Sequence, residues 1–230
     1  GCRKASRHPA KGGNSMKQPL LLFDLDGTLT DSGQGITNSA AYALRHFGIH
    51  EDDPARLNRF VGPPLKNSFM DFYGFDEEKA ERAITYYREY FTDRGIHENR
   101  VYDGVEEMLQ RCQRAGKQMA LATSKPTVFA EKIVEGFGLA PYFTLICGSN
   151  LDGTRSVKAE IIEQVLFDCK ARPKDAVMIG DRKHDLIGAK RCGIASVGVL
   201  YGYGSREEME EYGADYIVPT VPALADLLCG

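Results

Sequence analysis

Two aspartates one residue apart, Asp24 and Asp26, stand at the end of the apolar run Leu20 to Phe23 and are followed by Gly27 and Thr28. A short continuous apolar run is what a strand buried inside a parallel sheet requires. Ligands of such sheets bind at the carboxyl ends of the strands, so Asp24 is expected to face a crevice. Two carboxylates this close raise each other's pKa unless a cation or a shared proton intervenes. A hard divalent ion such as Mg²⁺, which favours oxygen ligands beside phosphate oxygens, meets that need. The pattern points to a carboxylate that attacks phosphorus. Taken alone, Asp-x-Asp-Gly also reads as an ordinary turn, because Asp and Gly both favour turns, and the rest of the chain must decide.

Three further segments carry matching chemistry. Thr123 and Ser124 follow the apolar stretch Met119 to Ala122, where a hydroxyl and backbone N–H groups at a helix start can hold phosphate oxygens. Lys158, just after Ser156, offers a positive charge. Gly180-Asp181-Arg182-Lys183-His184-Asp185, after the apolar Ala176 to Ile179, supplies two more carboxylates for a cation.

These groups need a scaffold, and the chain predicts one. From Asp103, read as an N-cap, apolar residues at helical spacing run to Cys112 and stop near Gly116. Strands are expected at 119–122, 143–147, 176–179, 195–200 and 216–218, and helices at 126–137, 157–167, 185–192 and 221–228. Alternation of this kind predicts an α/β fold with a doubly wound parallel sheet. Residues 34–99 break the rhythm with amphipathic helices at 40–47, 65–72 and 77–91. They are read as a helical cap inserted between two parts of an α/β core, 16–33 and 100–230, able to close over the crevice.

Composition bounds the function classes. At 230 residues, 43% hydrophobic and 27% charged, the chain can bury a full core. No apolar run approaches the ~20 residues of a membrane span, and no signal-peptide pattern opens the chain. Residues 1–15 are a basic, aperiodic stretch, read as a disordered or non-native tail. Setting aside its four Lys/Arg turns the net charge of −3 into −7 for the rest, which lends no support to binding a nucleic-acid polymer. Six scattered cysteines without metal-ligand spacing read as free thiols of a cytoplasmic protein rather than bridges.

The four motifs, in order across residues 20–228, resemble the haloacid dehalogenase-like hydrolase superfamily, in particular its phosphatases with a helical cap. Phe60 to Leu65 and Gly198 to Gly204 are further similar to the phosphoglycolate phosphatase-like and 5'-nucleotidase-like branch. The resemblance implies a Mg²⁺-dependent phosphatase acting on a small phosphomonoester through an aspartyl-phosphate. Asp24 would be the nucleophile, and Asp26 would protonate the leaving oxygen and then activate water. The backbone of Leu25 and Asp26, with Thr123, Ser124 and Lys158, would hold the phosphoryl group. Asp24, Asp181 and the Asp26 carbonyl would bind the metal, with Asp185 one shell out.

Asp26 argues against a dehalogenase, a phosphonatase and a transport ATPase, none of which keeps a carboxylic acid at that place. The rival within the family is a mutase resembling β-phosphoglucomutase, which carries a histidine soon after the first motif, where Asp31 to Ile36 has none. The alternative from another class is a binding or regulatory protein of the same fold with little turnover. Substrate contacts are expected from Gln34, Asn38, Phe60, Gly62, Pro63, Lys66 and Asn67. Lys66 is the candidate for a second anionic group. Tyr86, Tyr87, Tyr90 and Phe91 are read as packing residues of their helix rather than a binding surface.

Overall fold

The computed structural model describes residues 15–230, so all but the last residue of the basic stretch 1–15 lies outside it. In chain order the elements are β1 (Leu20–Phe23), β2 (Thr30–Asp31), α1 (Gly33–Arg45), α2 (Pro54–Leu57), α3 (Leu65–Tyr73), α4 (Glu77–Asp93), β3 (Arg100–Val101) and α5 (Val105–Arg114). The second part runs β4 (Gln118–Pro126), α6 (Thr127–Gly136), β5 (Leu145–Ser149), α7 (Lys158–Asp168), β6 (Ala176–Gly180) and α8 (Lys183–Cys192). It ends with β7 (Ala195–Val199), α9 (Arg206–Glu211), β8 (Tyr216–Val218) and α10 (Val221–Cys229).

Six strands form one parallel sheet in the order β5-β4-β1-β6-β7-β8. Strand β1 is central, and its four residues are fully buried because both faces are covered. Side chains alternate across a strand. Leu21 and Phe23 therefore enter the core shared with α5, α6, α10 and the insertion, while Leu20 and Leu22 enter the one beneath α7 and α8. Each such side chain contributes about 1.5–3 kcal/mol, which fixes the strand from which Asp24 emerges.

Between β1 and β4 the chain inserts helices α1 to α4. It leaves and returns through a two-residue antiparallel ribbon, in which Thr30 pairs with Val101 and Asp31 with Arg100. The insertion has its own aromatic packing, with the Phe60 ring 5.0 Å from Phe69 and 5.6 Å from Phe72.

Several boundaries differ from the sequence reading. Helix α1 begins at Gly33, seven residues before the expected start. Glycine is a poor helix former, which hides this first turn, yet bulk is forbidden there: a Cβ on Gly35 would lie 2.0 Å from the Gly95 carbonyl oxygen. Asp103 is not the N-cap of α5; that place belongs to Gly104, whose φ of +84° favours glycine. Strand β4 continues to Pro126, so Thr123 and Ser124 lie in its carboxyl end, with a register shift after Ala122, and not at a helix start. Helices α2 and α9 were not anticipated. Both carry side-chain caps, Asp53 accepting from the Ala55 N–H and Ser205 from the Glu208 N–H.

Candidate active site

The carboxyl ends of β1, β4 and β6 bring the four motifs together. Asp24, Asp26, Thr123, Lys158, Asp181 and Asp185 are all buried, an arrangement that demands partners for every charge. Lys158 supplies much of that pairing from the first turn of α7. Its Nζ lies 2.9 Å from Asp24 Oδ1 and 2.9 Å from Asp185 Oδ1, and donates to the Ala122 carbonyl at 2.9 Å. The Leu25 N–H donates to Asp24 Oδ1 at 2.8 Å. One oxygen of Asp24 is thus held by two donors and the other, Oδ2, is left for chemistry.

Asp181 accepts the Tyr203 N–H on Oδ2 at 2.8 Å, while its buried Oδ1 has no partner. Asp185 accepts the Arg182 N–H at 3.2 Å. Ligand oxygens of Asp24, Asp181 and Asp185 lie within 4.8 Å of one another. Lys158 pairs with only two of these three carboxylates, Asp24 and Asp185, and the energetic consequence is visible in the acidity of Asp24 and Asp181. Burial, opposed by Lys158 and reinforced by Asp185 and Asp26, pushes the Asp24 carboxyl up to about 7. Burial, with repulsion from Asp185 and Asp24, raises Asp181 well above the ordinary carboxylate range. Burial alone would lower Lys158, but Asp185 and Asp24 outweigh it and hold the ammonium above its usual value. An all-oxygen donor set with excess negative charge and an orphaned buried oxygen fits a hard divalent cation.

The site is packed to the limit of glycine. Gly27 has φ +82°, and a Cβ there would lie 2.2 Å from Asp181 Oδ2. A Cβ on Gly202 would lie 2.2 Å from the Gly27 carbonyl oxygen and 2.5 Å from Asp181 Cβ. The loop after β7 therefore clamps the aspartates. Tyr201 donates its hydroxyl to the Thr28 carbonyl at 3.0 Å, and the Tyr203 hydroxyl donates to Asp31.

Sequence reasoning stopped at Ser124 and missed Lys125. Its Nζ lies 3.1 Å from Asp26 Oδ2, with both side chains under 10% exposed, and 4.4 Å from the Phe91 ring centroid in the insertion. A lysine directly after the two hydroxyls, at the mouth of a buried strand, was the available signal. Thr123 Oγ1 accepts the Lys125 N–H at 3.2 Å, which ties the hydroxyl to that turn.

Two cavities meet at Ser124. One, of about 60 Å³, is lined by Asp26, Lys125 and Arg88 together with Ile36, Phe60, Gly62, Pro63, Leu65, Tyr87, Phe91, Pro126 and Phe129. The other, of about 330 Å³, borders Lys158 and runs between Pro63, Asn67 and Arg59 of the insertion and Arg182, Lys183, His184 and Arg191 of the core. Of the expected substrate residues, Phe60, Gly62 and Pro63 line the first and Pro63 and Asn67 the second. Gln34, Asn38 and Lys66 line neither. Gln34 faces solvent, Asn38 donates to Glu98 at 2.9 Å, and Lys66 is drawn onto α4 by Glu77 at 3.3 Å and Glu81 at 3.1 Å. The four aromatic residues of α4 divide: Tyr86 stacks on His46 and Tyr90 donates to Glu98, whereas Tyr87 and Phe91 are both packed and cavity-lining. Arg182 spans the two parts, donating to the Val61 carbonyl at 2.8 Å and to Glu208 at 3.1 Å.

A parallel α/β sheet with an inserted set of helices, and a lysine-bridged group of aspartates at its carboxyl edge, defines a class of phosphoryl-transfer hydrolase. The chain belongs to the haloacid dehalogenase-like hydrolase family, which matches residues 21–199, and it is a phosphatase of that family. It is 46% identical to a 5'-nucleotidase of Pseudomonas aeruginosa over 214 residues, covering 93% of this chain and 97% of that one. It is 38% identical to the tyrosine-protein kinase PtkA of Mycobacterium tuberculosis, covering 84% of this chain and 65% of that one. The crystal structure of a predicted phosphatase from Clostridium acetobutylicum superposes with a TM-score of 0.90 at 50% identity, covering 91% of this chain and 97% of that one. Among the described residues no helix is long and apolar enough to cross a membrane.

Proposed function

We propose that the protein is a Mg²⁺-dependent phosphatase that hydrolyses a small phosphomonoester through an aspartyl-phosphate on Asp24. The observation that carries this reading is the division of labour between two neighbouring carboxylates. Asp24 is held through Oδ1 by Lys158 and the Leu25 N–H, while Asp26 is held by Lys125 at the mouth of the small cavity. Asp24 Oδ2 attacks phosphorus, the ester P–O bond breaks, and the leaving oxygen takes a proton from Asp26. Asp26 then removes a proton from water, whose oxygen attacks phosphorus and expels Asp24, releasing orthophosphate. Lys158, with the Thr123 and Ser124 hydroxyls, steadies the charge on the transferring group.

Asp24 and Asp181, with the Asp26 carbonyl, would hold the magnesium ion, which would supply charge neutralisation to nucleophile and phosphoryl group alike, and Asp185, held by Lys158 and the Arg182 N–H, would act one shell out. The helical insertion serves as a cap: Arg182 reaches its Val61 carbonyl, and Phe91 covers Lys125, so closure and the alignment of Asp26 are coupled.

A nucleoside monophosphate is the first substrate reading, supported by the likeness to the 5'-nucleotidase along nearly its whole length. The aromatic walls of the small cavity suit a base, but about 60 Å³ requires the cap to open to admit one. That same volume, with Lys125 and Arg88 facing it, favours phosphoglycolate as a second reading, because a two-carbon carboxylate is small and anionic. Phosphate release from nucleoside monophosphates, phosphoglycolate, sugar phosphates and p-nitrophenyl phosphate, with Mg²⁺ or EDTA, tests both. Release should require the metal and vanish in Asp24→Asn. Persistent release from the purified variant would refute the nucleophile assignment.

A further inference from the structure

The six cysteines gave no pairing signal, yet two of them meet. Cys112, in the last turn of α5, and Cys229, at the end of α10, are 117 residues apart in sequence, and their Sγ atoms lie 3.0 Å apart. The bond length in a disulfide is about 2.05 Å, so closure asks for a movement of about 1 Å. The contact is held from both sides. Arg111, the neighbour of Cys112, pairs with Asp226 of α10 at 3.0 Å, and the Gly230 N–H donates to the Asp226 carbonyl at 3.0 Å. The thiols of Cys147 and Cys192 instead face the carbonyls of Ile161 at 3.9 Å and Ala159 at 3.4 Å.

We propose that Cys112 and Cys229 form an oxidisable dithiol, a reversible covalent staple between α5 and the C-terminal helix. The co-reactant is a low-molecular-weight disulfide such as oxidised glutathione. Cys229 is the entry point because it is partly exposed, whereas Cys112 is buried and its thiol is pushed above the ordinary range. The Cys229 thiolate attacks one glutathione sulfur, the glutathione S–S bond breaks, and one glutathione leaves as thiolate. Cys112 then gives up its proton and attacks the Cys229 sulfur, expelling the second glutathione. Two protein thiols are oxidised and one glutathione disulfide is reduced to two thiols. α5 runs through Lys117 into the start of β4, so the pair lies at the end of the sheet opposite the aspartates. The staple should therefore change stability and leave turnover alone. This inference does not rest on the substrate reading.

The full chain is incubated with oxidised glutathione, free thiols are blocked with iodoacetamide, and the digest is read by mass spectrometry without reduction. The expected product is one peptide pair joined through Cys112 and Cys229. It should be accompanied by a rise in Tm of roughly 4–15 °C, reversed by dithiothreitol, and by phosphate release within about twofold of the reduced enzyme. In Cys229→Ser, a mild change at a partly exposed position, the joined pair and the Tm rise should both disappear. Recovery of Cys112 and Cys229 as separately blocked or singly glutathionylated peptides, or joined to Cys2, Cys147, Cys169 or Cys192 instead, would overturn the proposal.

Discussion

Replacing Lys125 by methionine removes one charge from a buried pair while keeping the aliphatic stem that packs beneath Phe91. At 3.1 Å and an effective dielectric near 20, the Coulomb attraction to Asp26 is about 5 kcal/mol, part of which is offset by desolvation of the two ends. Breaking such a pair from one side typically costs about 3–5 kcal/mol, because the other charge stays buried. Asp26 is poorly placed to absorb the loss, since its Oδ1 already lacks a partner. If between half and all of the lower figure falls on the step in which ionised Asp26 activates water, the rate of that step drops roughly 10- to 150-fold. The expected signature is specific. p-Nitrophenyl phosphate, whose leaving group needs little protonation, should give a burst of nitrophenol followed by slow turnover as the phospho-enzyme accumulates. Alkyl phosphates, whose poor leaving group also needs the Asp26 proton in the first step, should be slowed in both steps and lose kcat without a burst. A Lys125→Met enzyme with an intact melting transition and turnover within threefold of wild type on both substrates would refute a positioning role for Lys125.

Metal binding should compete with protons. Asp24 is raised from 3.8 to about 7, so the stability it contributes is fully present below about pH 4 and is lost as pH rises through 7 in the absence of a cation. Mg²⁺ offsets that loss, and the gap in Tm between Mg²⁺ and EDTA should widen from about pH 6 to pH 8; a constant gap in a thermal-shift series contradicts the carboxylate assignment. Gly202→Ala drives a Cβ into Gly27 and Asp181. Overpacking of this kind costs about 1–3 kcal/mol, so the variant should remain folded while kcat/KM falls at least about 10-fold, and normal kinetics would show that the clamp is not needed. Phe60→Leu trims a ring that is 1% exposed and lines the small cavity. It should cost about 1 kcal/mol by chemical denaturation and raise turnover of nucleoside monophosphates relative to phosphoglycolate; an unchanged ratio would remove Phe60 from the leaving-group contacts.

Much of the architecture was legible in the sequence because its signals are local. Apolar runs of four or five residues bounded by turn formers and alternating with helices fit strands covered on both faces; Asp24, Asp26 and Asp181 sit just past the ends of such runs, and Lys158 opens the helix that follows another. The parallel sheet and the inserted helices follow from that alternation. Lys66 shows the limit. A cationic residue early in a helix looks free, but Glu77 and Glu81 lie on the next helix, and only packing reveals that they claim it. Lys125 shows the converse, an inconspicuous residue made important by the end of a neighbouring strand and by a ring from another part of the chain.

Sequence alone determined the strand ends that carry the carboxylates, the helical insertion and the type of chemistry, since each motif is local and the four occur in order along the chain. Only the tertiary structure decided which charges neutralise each other, which glycines are forced by the approach of Asp181, which aromatic residues line the small cavity, and that Cys112 meets Cys229. Those facts depend on distances between segments far apart in sequence, 117 residues for the two cysteines and 173 for Tyr201 and Thr28, and such distances are set by the packing of helices on a twisted sheet rather than by any spacing along the chain.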